Sequence, residues 1–262
     1  MEKDLKIADR LLEEKKYDEC THFLGNLHNK SNSEVCWRQA RVMFMQRGFV
    51  QIARTRNTLF SVHGSSTRPT KHETRAQLTT ALEHIHVGLV TDGHNADCLT
   101  VGVSHSFFHP NYFHAFQWNG ILVDQLSKLE GGNERTKTAF KTHDLWQKAL
   151  LIDPKNYLAN HCLGIWFFEV NDLPDIKQSW MKTFSTKPPI STYEEALKHL
   201  NRCEELAPRK LVNNLLTLAK CHYHLKNRDK ARYFCQAVNS FQSTGFDVTE
   251  AQSESHHLLK KL

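Results

Sequence analysis

Seventeen histidines and seven cysteines in a chain of 262 residues raise two chemistries at once, metal coordination and nucleophilic catalysis. Both need the right spacing as well as the right side chains. The densest histidine groups are His84-Ile85-His86, His105 with His109 and His114, His222 with His224, and His256-His257. None forms an HExxH pair, and no Cys/His set has zinc-finger spacing. His105 and His109 stand four apart, but in a segment without helical period, so they need not share a face. Cys20, Cys36, Cys98, Cys162, Cys203, Cys221 and Cys235 are scattered and odd in number, with no CxxC pair. Neither a GxSxG elbow, a P-loop nor a dinucleotide fingerprint occurs. The expectation is a protein with no catalytic residue, no metal and no cofactor, one that binds and is not an enzyme.

The remaining chemistry is electrostatic. A formal net charge of +6 biases the surface toward acidic partners, such as acidic peptide tails or anionic lipid. The polar stretch 47–75 holds Arg54, Arg56, Arg68, Lys71 and Arg75 around Gly64-Ser65-Ser66 and Pro69, and reads as a loop that serves as a basic arm. Arg56-Asn57-Thr58 also fits a basic-directed phosphorylation site, where phosphate would reduce the arm's charge. Nucleic acid is not an expected partner, because the charge is modest and no recognition motif accompanies it.

The elements that position these groups are helical and repeated. A tetratricopeptide unit carries a large residue, Leu-Gly and an aromatic on its first helix, then small, large and small residues on its second, and a closing Pro. The small residues let two antiparallel helices approach closely. Leu163-Gly164 with Phe167 opens such a unit, and Ala196, Leu200, Cys203 and Pro208 close it. Leu218-Ala219 opens the next, with Ala231, Cys235 and Val238 on its second helix. Upstream, Phe116, Asn119-Gly120 and Val123 pair with Trp146, Ala149 and Pro154. Ile7-Ala8 and Leu11 pair with Cys20, Leu24 and Leu27, and a further unit runs from Trp37–Ala40 to Ala81, Ile85 and Gly88. Ser191-Thr192-Tyr193-Glu194-Glu195 supplies a capping box, as Ser191 with Glu194 or Thr192 with Glu195. No alternating apolar run suggests a sheet. The fold class expected is therefore all-α, a tetratricopeptide-like helical repeat array forming a single domain over 1–262. Irregular inserts are expected at 47–75 and 94–110, with a further insert at about 171–190.

No apolar run approaches the roughly 18–20 residues of a membrane span. The charged, helical N-terminus is neither a signal nor a transit peptide. No transmembrane anchor is expected, and scattered cysteines without a leader suggest reduced thiols in the cytoplasm.

From Asn160 to Leu200 the sequence becomes distinctive. LGIWFFEVNDLP, MKTFSTKPPISTYEEALKHLNRCEELAP and the following NNLLTLAKCHYHLKNRDKARYF resemble the regulator of microtubule dynamics family, as do ADRLLEEKKYDECTHFL and EVCWRQAR near the start. The segment 93–111 departs from it. The resemblance implies a tetratricopeptide-like fold, association with microtubules, and roles in spindle organisation and chromosome segregation. It implies tubulin, a mitotic kinase or another spindle protein as partner, at the cytoskeleton, spindle and spindle poles. Some members carry an N-terminal anchor and act at organelle contacts through phospholipid. This chain begins at the repeat domain itself, which favours the soluble cytoskeletal branch.

Repeat arrays present one face of each first helix to a ligand groove. Counted from the Leu-Gly landmarks, that face includes Arg38 or Arg41, His114, Gln117, His161, Asn213, Lys220 and Tyr223. Lys and Arg would meet carboxylates, amides a peptide backbone, and aromatics its apolar stems. The same lining suits an anionic lipid headgroup. A microtubule-associated adaptor is therefore the first expectation, with a phospholipid-binding or transfer module, or a general peptide-binding scaffold, as alternatives.

Overall fold

The computed structural model describes residues 2–46, 70–91, 113–130, 132–172, 191–242 and 246–262. Every regular element among them is a helix, as the repeat pattern predicts. The chain divides into two compact units, Met1–Thr138 and Ala139–Leu262.

In the first unit, α1 (Glu2–Glu13) and α2 (Tyr17–Gly25) form a helical hairpin, followed by α3 (Ser33–Met45), α4 (Lys71–Thr91) and α5 (Phe113–Glu130). The hairpin turn passes through Lys15 in the left-handed region, at φ 58°. Ala8, Leu11 and Leu12 of α1 meet Cys20 and Leu24 of α2 and Val35 and Val42 of α3 in one apolar cluster. Burying each of the larger aliphatic side chains stabilises by roughly 1.5–3 kcal/mol relative to leaving it exposed. Asn32 caps α3, its side chain accepting from Glu34 N at 3.0 Å. Helix α3 packs on α4, where Gly88 lies so close that an added Cβ would meet Cys36 Cβ at 2.8 Å.

Of the insert expected at 47–75, the described part, from Thr70 on, is the start of a helix. Thr70 and Glu73 form a capping box, with Glu73 N donating to Thr70 Oγ1 at 3.2 Å and Thr70 N to Glu73 Oε2 at 2.7 Å. Two orphaned donors are thereby satisfied, so α4 begins at Lys71 and carries Lys71 and Arg75 as helical residues.

Helix α6 (Gly132–Ile152) contains the boundary between the units. The second unit continues with α7 (Tyr157–Asp172), α8 (Tyr193–Leu206), α9 (Val212–His224), α10 (Arg228–Asn239) and α11 (Phe246–Leu259). Helix α7 packs on α8, α8 on α9, α9 on α10, and α11 on both α9 and α10. Gly164 is the close-contact residue of the α7–α8 pair, since a Cβ there would meet Leu200 Cγ at 2.5 Å. Of the two capping patterns read from the sequence, the structure uses Thr192, whose hydroxyl accepts from Glu195 N at 3.1 Å. Ser191 instead donates to the Phe167 carbonyl across the pair. Arg209 and Lys226, on either side of α9, also adopt left-handed backbone, at φ 52° and 64°.

Candidate partner-binding face

Alternate helices touch one another within each unit. Helix α3 contacts α1 and α5 in the first, and α9 contacts α7 and α11 in the second. These are the first helices of successive pairs, the row in which the sequence placed the groove residues.

Two arginines stand one turn apart on α3, and they differ. Arg38 is 7% exposed. Its Nε and Nη2 donate to the two carboxylate oxygens of Asp9 on α1, each at 2.8 Å, and Nη1 donates to Glu34 Oε2 at 2.8 Å. The guanidinium also lies 4.2 Å from the Trp37 ring centroid. Arg38 therefore joins α1 to α3, with four hydrogen bonds and two carboxylates already on its guanidinium, an engagement inside the stack that its expected groove role did not include. The physical reason is the bidentate fit of guanidinium to carboxylate. Arg41, by contrast, is half-buried with a buried Nε that meets no acceptor among the described residues, and its guanidinium lies 5.8 Å from the Trp118 ring of α5. Trp37 stacks on His114 at 4.2 Å, and Phe44 meets Trp118 edge-on at 5.7 Å. Burial, reinforced by the charges of Arg38 and Arg41, lowers the His114 pKa to about 4. The ring is neutral at physiological pH. Gln117 is only 3% exposed and works inside the unit, not on a ligand face.

In the second unit the expected residues are engaged in the helix stack. His161 Nδ1 lies 3.1 Å from Asn214 Oδ1, while Asn214 Nδ2 donates to the Leu200 carbonyl at 3.0 Å. A parallel rung links His199 Nδ1 to Asn160 Oδ1 at 3.1 Å, and Asn160 Nδ2 donates to the Asn156 carbonyl at 3.0 Å. His199 stacks on Phe167, and His143 sits 4.5 Å from the Trp166 ring. Burial lowers the His143 pKa to about 4 and also lowers that of His199. Lys220 is neutralised by Glu254 of α11. Tyr223 packs beside Leu258 and Cys235, and Asn213 is half-buried, its carbonyl accepting from Thr217.

Of the basic arm, Arg54, Arg56 and Arg68 lie outside the described residues, as does the insert at 94–110. Lys71 is exposed on α4, and Arg75 pairs with Glu130 at 2.9 Å. The thiols of Cys20, Cys203 and Cys221 are pushed up by burial, to about 11, 12 and 12. Each is held as a thiol, the inert form. Among the described residues no group of three His, Cys, Asp or Glu could hold a metal ion, and no helix is long and apolar enough to cross a membrane.

Sequence reading missed the part that three residues play in and beneath this face. Asp9 pairs across 29 positions, for which no local spacing gives a signal. Trp37 and Trp118 were legible as large aromatics beside the predicted residues, one position from the register used.

Paired helices with glycine contacts, and first helices that touch one another within each unit, define a tetratricopeptide-like array. A thermophilic TPR protein of Thermus thermophilus shares this fold, with a TM-score of 0.58 and 11% identity over 98% of both chains. Residues 105–262 match the model of the family described as regulator of microtubule dynamics protein 1-3. The chain belongs to the regulator of microtubule dynamics family. Regulator of microtubule dynamics protein 1 of Rattus norvegicus is 29% identical over 150 residues, 57% of this chain and 48% of the relative. The protein of the same name in Pongo abelii is 24% identical over 259 residues, 99% of this chain and 72% of the relative. The chain thus spans about half the length of the rat and mouse relatives it matches.

Proposed function

We propose that this chain is a binding adaptor that modulates microtubule dynamics by engaging tubulin, or a spindle protein, through the first-helix face of its repeats. The observation that carries this reading is the family match over residues 105–262, whose relatives are named as regulators of microtubule dynamics. Two features support it. The net charge of +6 favours association with acidic surfaces. The thiols of Cys20, Cys203, Cys221 and Cys235 are held protonated by burial, which fits recognition better than covalent catalysis.

Co-sedimentation with stabilised microtubules tests it, at low and raised salt and with the acidic tubulin tails removed. The expected result is pelleting at low salt that weakens as salt rises and as the tails are lost. Absence of pelleting at low salt would rule out direct tubulin binding and leave recruitment through a spindle protein, to be read by the same assay with cell extract added.

A further inference from the structure

The two arginines of α3 have opposite electrostatic situations on one helix face. Arg38 has two carboxylates, Asp9 and Glu34, within 2.8 Å and is nearly buried. Arg41, one turn on, is half-buried, its Nε is buried, and no acceptor meets that atom among the described residues. A guanidinium deprived of part of its hydration and given no counter-ion is unfavourable, and an oxyanion arriving from outside relieves it. Aromatic side chains also surround this guanidinium. Trp118 faces the guanidinium at 5.8 Å, with Phe44 against its edge. The Trp37–His114 stack belongs to the same pair of helices, and its imidazole feels the Arg41 charge.

We propose that the Arg41–Trp118 corner is a subsite for a single carboxylate of an acidic peptide, with the guanidinium, backed by the buried Trp118 ring, holding the carboxylate and the half-buried Phe44 beside its methylene stem. The charge count selects carboxylate over phosphate. Arg38 is already saturated, so the corner offers one positive charge, which matches a monoanion and leaves a phosphate dianion half-compensated. The Arg38–Asp9 pair has a different part here: by fixing α3 against α1 it positions the helix that carries Arg41. This inference rests on the reading that the first-helix face is the binding face, but it does not depend on the partner being tubulin.

The test uses the full chain and a fluorescein-labelled hexaglutamate peptide, read by anisotropy at low salt. Arg41→Gln removes the charge, Arg41→Lys keeps the charge but loses the fork, and Trp118→Leu removes the ring. Lys30→Gln, at an exposed residue of the same unit before α3, controls for general loss of charge. Thermal melts establish that each variant folds, and Arg41→Lys keeps the question open should Arg41→Gln not fold. Arg41→Gln is expected to weaken hexaglutamate binding at least tenfold, Arg41→Lys and Trp118→Leu severalfold, and Lys30→Gln less than twofold. Three outcomes overturn the proposal: no hexaglutamate binding by the unaltered protein, equal weakening by Lys30→Gln and Arg41→Gln, or displacement of hexaglutamate by inorganic phosphate at concentrations where acetate has no effect. Microtubule co-sedimentation of the same variants separates this subsite from the broader reading. Pelleting that persists without hexaglutamate binding defeats the subsite alone, and Arg41-dependent hexaglutamate binding without pelleting defeats direct tubulin binding alone.

Discussion

Asn119 and Asn214 occupy the first helices α5 and α9 in the two units, each with 0% exposure, and the fold treats them in opposite ways. Asn214 donates to a carbonyl of α8 and faces a histidine of α7, so one amide joins three helices. Both polar atoms of Asn119 are buried without a hydrogen-bond partner among the described residues. The contrast concerns these amides and not the units as wholes, because the second unit has orphaned atoms of its own in His222 Nδ1 and Asn239 Oδ1. A buried amide stabilises only where its partners are built with it, and otherwise subtracts.

The largest expected effect breaks the satisfied side. Asn214→Ala removes the bonds to the Leu200 carbonyl and to His161 and is expected to lower unfolding free energy by about 3 kcal/mol in urea melts. A loss below about 1 kcal/mol would mean that the ladder is ornamental.

Acid comes next. His114 and His143 have pKa values near 4 in the folded chain, against 6.5 for an unburied imidazole. Between those values the unfolded chain binds more protons, so their contribution is fully present above about pH 6.5 and is lost as pH falls toward 4. At pH 5 each removes about 2 kcal/mol, and His143→Phe should remove its share of the pH dependence in melts at pH 7 and pH 5. The two imidazoles also sharpen the comparison. His114 is held down by burial and then by Arg38 and Arg41, whereas after burial His143 has Asp144 opposing the shift and His199 adding to it. A carboxylate ligand at Arg41 should therefore raise the His114 pKa and leave that of His143 unmoved in an NMR titration.

Relieving the unsatisfied side comes third. Asn119→Leu replaces an amide without partners by an apolar group of similar volume, and should raise unfolding free energy by about 1 kcal/mol. Equal losses from this variant and from Asn214→Ala would collapse the distinction drawn here. The smallest effect is Glu254→Gln, which weakens a partly exposed ion pair with Lys220 and should lower stability by less than about 1 kcal/mol.

The repeat architecture was legible because it is written in small residues at fixed spacing. Gly88 and Gly164 sit where an added methyl has no room, and Ala8, Cys20, Ala219 and Cys235 are fully buried at the corresponding contacts. The Thr192 cap was legible for the same reason, being local. The Thr70–Glu73 box was equally local, but the surrounding basic and polar residues masked it and the stretch was read as loop. The ligand face was legible only as a row. Which of its members are free and which are spoken for depends on pairs such as Asp9 with Arg38 and His161 with Asn214, 29 and 53 residues apart, and no periodicity carries that information.

Lys15, Arg209 and Lys226 hold left-handed backbone with an ordinary side chain attached, at about 1 kcal/mol each relative to glycine. Between them these turns keep a reserve of mutational tolerance. A lineage that lost a core methylene elsewhere in the array could recover the deficit by a change to glycine at one of these surface turns, leaving the first-helix face untouched. Part of the chain's capacity to drift in sequence while keeping its binding surface thus lies in these three exposed turns, none of which belongs to a first helix.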